Sequence, residues 1–329
     1  MLMIVSCHVG QMFFYYFSMQ FRLPFNISTI NTLWGQFITM GGALGNDIFI
    51  LISGYFLAKS HEAKPMRLLN LWLRIFFYSV TFFLIFTISG LEPFSIKTML
   101  QCILPVVKNQ WWFMTAYFVI YIFHPYINIF LRAMSHDEYK KFLITLVLCW
   151  CIIPTVFKSY YQERFVTLVC LYFIAGYIRL WADDFGSKKF IWLGFGSIAI
   201  NYLSIVTFDL LGVKIPYFVG QTYFLCGMMG PFTVFGTVSL LIGFKHLHIH
   251  SRLLNLTASA VLGVYLIHMN RFVWPFIREN CKALIFSVHD SPYLIPCTIL
   301  AIFLVYISCT VIEIMRSKIF KTLSRGRLS

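Results

Sequence analysis

Two histidines, an Asn-Asp pair and two spaced arginines are the residues of this chain whose types and positions could do chemistry. His8 lies in the apolar run Met1-Leu-Met-Ile-Val-Ser-Cys-His8-Val-Gly-Gln-Met-Phe-Phe-Tyr-Tyr-Phe17. Such a run is either a membrane segment or a buried core, and an imidazole inside hydrocarbon is costly unless it has a partner and a task. Imidazole can take and return a proton near neutral pH, so His8 is the candidate general base. His268, in Gly263-Val-Tyr265-Leu-Ile-His268-Met-Asn270-Arg271, is the second deep histidine. It reads first as a satisfied structural histidine and otherwise as polar support for a site.

Asn46 and Asp47 follow Gly41-Gly42-Ala-Leu-Gly45 in a segment that otherwise spans apolar residues. They read either as the capped start of a water-exposed half-helix or as the lining of a polar cavity. Arg67 and Arg74 are seven apart, on one helix face near a membrane surface. They either snorkel to lipid phosphates or form an anion site for the phosphates of a cytosolic cofactor. Trp111 and Trp112 open the segment that carries Tyr117, Tyr121 and His124, spaced by four and three on one face. Such a stripe is either packing or a surface on which sugars stack and bond to phenolic hydroxyls. The run Lys245-His246-Leu-His248-Ile-His250 has no nearby carboxylate or cysteine to complete a ligand set, so no metal is expected.

The elements that must position these residues follow from composition. The 329-residue chain is 59% hydrophobic, 12% charged and 19% aromatic, with mean hydropathy +0.78. A soluble protein is nearer half apolar and a quarter charged. This is an all-α polytopic membrane protein, a single unit over residues 1–329. Runs of about 20 apolar residues predict about ten transmembrane helices in one bundle, at roughly 1–18, 34–57, 68–89, 111–131, 141–157, 165–181, 190–211, 220–243, 257–277 and 293–315. The stretch from Glu92 to Phe113 reads as a short interfacial or re-entrant helix. The first segment lacks the basic flank and small-residue cleavage site of a signal peptide. It begins inside an apolar run, so the chain reads as incomplete at its N-terminus.

The net charge of +14 does not point to nucleic acid. Most basic residues fall in short loops on one side: Lys59, Lys64 and Arg67, then Arg132, Lys140 and Lys141, then Arg179, Lys188 and Lys189, then Lys245 and Arg252, then the tail from Arg316 to Arg327. Fewer lie opposite, among them Arg22, Lys97, Lys108, Lys158, Arg164 and Arg271. The positive-inside bias then predicts both termini in the cytoplasm. The nine cysteines form no CxxC pair and read as small buried hydrophobes. The sequons at Asn26 and Asn255 carry weight only in an organism that glycosylates.

The order of these motifs resembles the acyltransferase 3 family of bacterial integral membrane proteins across essentially the whole chain. The resemblance rests on the opening run with His8 and on Phe49-Ile-Leu-Ile-Ser53-Gly54-Tyr55-Phe56-Leu57. The basic start of the third span, Trp112-Phe-Met-Thr-Ala-Tyr117 with His124-Pro125, and Leu262-Gly-Val-Tyr265-Leu-Ile-His268 complete it. It implies a ten-helix bundle in the bacterial cytoplasmic membrane that moves acyl groups, commonly acetyl, from acyl-CoA to extracytoplasmic glycans. The family's essential first-helix histidine matches His8. The basic residue that the family carries eleven positions earlier would precede Met1. No soluble transfer domain is expected after the last span.

The expected reaction is O-acylation of a cell-surface polysaccharide or its lipid-linked precursor, with acyl-CoA as co-substrate and no bound cofactor. His8 acts as base; Asn46, Asp47 and His268 are candidate oxyanion or polar support. Arg67 and Arg74 are expected to meet the CoA phosphates, and Trp111, Trp112, Tyr117 and Tyr121 the sugar. A covalent acyl-histidine route stays open. The rival reading is a transporter or flippase for a lipid-linked glycan, which predicts half-sequence symmetry that is not visible here.

Overall fold

The computed structural model describes residues 1–15, 27–157, 163–218 and 221–325. Arg22, Asn26, Lys158, Arg327 and the end of the first predicted span lie outside the described residues. The structure is 80% helical, and no strand occurs among the described residues. The chain runs through α1 (Leu2–Gly10), continued by a 3₁₀ turn (Gln11–Tyr15), α2 (Ile27–Leu57), α3 (Pro65–Ile88), α4 (Ile96–Ile103) and α5 (Trp112–Ala133). There follow α6 (His136–Val147), a π-helical turn (Leu148–Ile152), α7 (Ile153–Phe157), α8 (Arg164–Trp181) and α9 (Lys189–Lys214). The last four are α10 (Pro231–Phe244), α11 (Arg252–His268), α12 (Val273–Val288) and α13 (Leu294–Arg325).

Among the described residues, seven helices are long and apolar enough to cross a membrane, and eight if the bent pair α11–α12 counts as one span. The helices at the first and eighth predicted spans, Leu2–Phe13 and Pro231–Phe244, are apolar but shorter. Local sequence explains the boundaries. Pro65 and Pro231 sit in the first turns of α3 and α10, where a missing N–H costs nothing. Ser95 caps the short α4, Ser251 caps α11, and Ser135 with Glu138 forms a capping box at α6.

The ninth predicted span, 257–277, is corrected. The helix ends at His268 and restarts at Val273 with an 85° bend. Asn270 is the physical reason: its buried side chain accepts the backbone N–H of Phe272 at 3.0 Å, and its carbonyl accepts from Trp274 N at 2.8 Å. Pro275, in the first turn of α12, suits a helix start and cannot continue a preceding helix. Polar backbone exposed by a break at membrane depth is tolerated when protein buries it; here Asn270 is fully buried.

Small residues let α1 sit directly on α2. A Cβ at Gly41 would lie 2.9 Å from the carbonyl oxygen of Met3, and one at Gly42 would collide with the Cys7 sulfur. Only glycine allows this approach, and it fixes the helix that carries His8.

The loops predicted to share one membrane side do meet. Arg132 reaches the carbonyls of Ala58 and Ser60 at 3.0 and 3.1 Å. Lys245 donates to the carbonyls of Ala182 and Asp183. Asp183 accepts a short hydrogen bond from Tyr55, lies 2.7 Å from Arg179 Nη1, and is 3.6 Å from Lys59. Partial burial pushes the Asp183 carboxyl up, but the Tyr55 and Arg179 hydrogen bonds win and hold it below the usual aspartate range. The folded pKa therefore lies below the unfolded one. The clamp contributes fully above the unfolded aspartate pKa and is lost as pH falls through the folded value. Asp183→Asn should lower the melting temperature of the detergent-solubilised protein at pH 7. Its gap to the parent should close as the pH is taken below the ordinary aspartate range; a gap independent of pH would refute the clamp.

Candidate active site

α1 delivers His8, and the end of α11 delivers His268 to it. His8 Nδ1 lies 3.0 Å from His268 Nε2, across 260 residues of sequence. His268 Nδ1 lies 2.6 Å from the carbonyl oxygen of Val264, one turn earlier in its own helix. His8 is half-buried, whereas His268 is 1% exposed. Trp274, just past the α11–α12 bend, packs its ring 5.4 Å from that of His8. The bend thus brings three aromatic rings, from α1, α11 and α12, into one cluster.

A cavity of about 360 Å³ lies beside this cluster, lined by residues of α1, α2, α3, α5 and α11. Met1 and Ile4 contribute from α1, and Ala258 to Tyr265 from α11. Along both helices the histidines come about one turn after these residues; neither histidine is itself among the residues that line the cavity. The walls are mostly apolar, with Phe49, Phe113 and Met114 among them; Asn46, Ser53, Arg74, Tyr117 and Ser259 add polar groups. An apolar slot with a few placed polar groups suits an amphipathic organic ligand.

Arg74 is held at that wall by a buried acid. Glu313 on α13 has a side chain only 2% exposed. It accepts from Arg316 Nε at 2.8 Å and Nη2 at 2.7 Å. It also accepts a short hydrogen bond from Tyr78, and lies 3.5 Å from Arg74 Nη2. Gly263 makes room for it, since a Cβ there would collide with the Glu313 carboxylate. Two arginines thus share one carboxylate, leaving net positive charge next to the cavity. Glu313 is a candidate site residue that sequence reasoning missed. Its signal was available: a lone acid inside an otherwise apolar last span, three residues before Arg316.

The other predicted residues separate. Asn46 and Tyr117 join Arg74 at the cavity. Asp47, the next residue to Asn46, points elsewhere: it is fully buried, and neither carboxylate oxygen has a hydrogen-bond partner among the described residues. Arg67 is exposed, two turns before Arg74. Trp111 is buried and Trp112 lies under the Arg164 guanidinium, 5.3 Å from the ring centroid. Tyr121 is buried with its ring 5.1 Å from that of His124. His124 has a backbone task. Pro125 lacks the N–H that would bond the Tyr121 carbonyl, and His124 Nδ1 lies 2.6 Å from that oxygen instead.

The family model described as an acyltransferase domain, Acyl_transf_3, matches residues 1–312. No curated protein and no solved structure matches the chain.

Removing one partner of a buried ion cluster leaves uncompensated charge, at a cost of about 3–5 kcal/mol. Glu313→Ala should therefore lower thermal stability sharply in detergent. The triple variant with Arg74→Met and Arg316→Met should recover part of the loss. A Glu313→Ala protein as stable as the parent would contradict the cluster.

Proposed function

The chain belongs to the acyltransferase 3 family, and from that premise we propose that it O-acylates a cell-surface polysaccharide or its lipid-linked precursor. The donor is acyl-CoA, with acetyl the expected group, and the protein works in a bacterial cytoplasmic membrane with both termini in the cytoplasm. The observation that carries this reading is the His8–His268 pair about one helical turn beyond residues that line an apolar cavity whose wall holds Arg74. A CoA thioester needs such a combination: cationic contacts for its phosphates, an apolar passage for its arm, and a base at the end.

In this reading acyl-CoA enters from the side that carries the basic loops. The exposed Arg67 and the cavity arginine Arg74 meet its phosphates, since guanidinium binds phosphate through paired donors. Glu313 positions Arg74 at the cavity wall. The thioester lies along the apolar walls toward His8. The acceptor comes from the opposite side, past the α11–α12 bend, where the indole of Trp274 lies against His8. Neutral His8 takes the proton of the sugar hydroxyl as its oxygen bonds to the thioester carbon. The tetrahedral oxyanion is met by a donor at the cavity wall, for which the Asn46 amide is the candidate. The carbon–sulfur bond then breaks, and the departing thiolate takes up from His8 the proton that came from the sugar hydroxyl. General-base help of this kind is worth about 10²–10⁴-fold.

His8→Ala should abolish acylation of the glycan while the protein inserts normally, read by acetyl analysis of purified surface polysaccharide. Retained acylation would remove His8 from the chemistry. Arg74→Ala should raise the KM for acyl-CoA by about tenfold or more, the worth of a hydrogen bond to a charged group. An unchanged KM would take the CoA phosphates away from Arg74.

A further inference from the structure

We infer that His268 selects the nitrogen of His8 that does the chemistry, making Nε2 the base and His268 a positioning residue. This rests on the reading of His8 as the base.

The argument is one of donors and acceptors. The Val264 carbonyl can only accept, so His268 Nδ1, 2.6 Å away, carries the proton. A neutral imidazole with its proton on Nδ1 has an accepting lone pair on Nε2. That lone pair faces His8 Nδ1 at 3.0 Å, so His8 Nδ1 carries the proton of this bond. Neutral His8 then has its own free lone pair on Nε2. No hydrogen bond to that atom occurs among the described residues. The chain Val264 C=O, His268, His8 thus runs in one direction and ends on an open basic nitrogen. The tautomer of a histidine is set by the bond its other nitrogen makes; here a backbone carbonyl sets both in turn.

The arrangement also helps after the proton moves. When the sugar hydroxyl gives its proton to Nε2, His8 becomes an imidazolium whose Nδ1–H already points at an acceptor. The positive charge is met by a hydrogen bond that needs no rearrangement. When the C–S bond breaks, the same Nε2–H returns the proton to the departing thiolate. Burial holds the geometry: His268 is 1% exposed and both of its ring nitrogens have partners in this orientation.

Two substitutions separate this role from packing. In His268→Gln the amide can repeat both tasks, its N–H donating to Val264 and its oxygen accepting from His8. In His268→Leu a side chain of similar bulk can do neither. His268→Leu should lower kcat by about 10²-fold with KM for acyl-CoA nearly unchanged, and His268→Gln should recover most of it. Nitrogen-15 NMR of histidine-labelled parent protein, with the His8 signals assigned from the His8→Ala spectrum, should find Nδ1 protonated and Nε2 bare in the neutral ring. Equal kcat in the Leu and Gln variants, or a His8 ring protonated on Nε2, would overturn the assignment. If His268→Leu does not fold, the spectrum of the parent still decides. An active His8→Ala protein would instead fell the underlying reading, so the two failures are distinct.

Discussion

Inside a bilayer there is no water to answer a charge, so each polar group in the bundle must find its partner in the protein. The Glu313 carboxylate is where this constraint bears hardest. It is nearly inaccessible, and it gathers Arg316, Tyr78 and Arg74 around itself. Those partners come from α3 and α13, while α11 yields a glycine to let the carboxylate in. Three helices that are far apart in sequence are thereby held at one spacing. The cavity beside them has a definite wall, and the arginine on that wall cannot drift out to the lipid headgroups.

The same rule governs the breaks in the helices. Proline at 125 and the end of α11 at 268 both leave backbone that a straight helix would have satisfied. In each case a histidine side chain or an asparagine supplies the missing partner. His124 and His268 both hydrogen-bond a carbonyl of the preceding turn through Nδ1, yet their consequences differ. His124 repairs a helix. His268 turns its other nitrogen toward α1, and only there does a second histidine wait. A bond that begins as backbone satisfaction becomes part of the site because of what lies opposite.

Close approach of α1 and α2 completes the arrangement. Glycines at 41 and 42 bring the short first helix onto the long second one, with Cys7 seated against the glycine surface. This sets the depth and rotation of His8. The 85° bend after His268 then carries α12 away and brings Trp274 against His8, beside the residue assigned the proton transfer.

Much of this was legible in the sequence by itself. Apolar runs located most of the long helices, because run length is a local property, though seven or eight rather than ten are long and apolar enough to span among the described residues. The amphipathic stretch after Glu92 marked a short helix for the same reason, whereas the caps at Ser95 and Ser135 were found only in the structure. His8 stood out because an imidazole in an apolar run is expensive wherever the run ends up. Tertiary structure decided the rest. Asn46 and Asp47 are adjacent, yet one lines the cavity and the other is buried apart from it. Periodicity describes a helix face and cannot say what that face meets. The bend at Asn270 depended on a buried side chain capping its own backbone, which a hydropathy window averages away. Glu313 was not singled out in the sequence, because only the fold puts Arg74 beside it. The contact between His8 and His268 spans 260 residues; no local pattern encodes such a pairing, because it exists only once α1 and α11 are packed side by side.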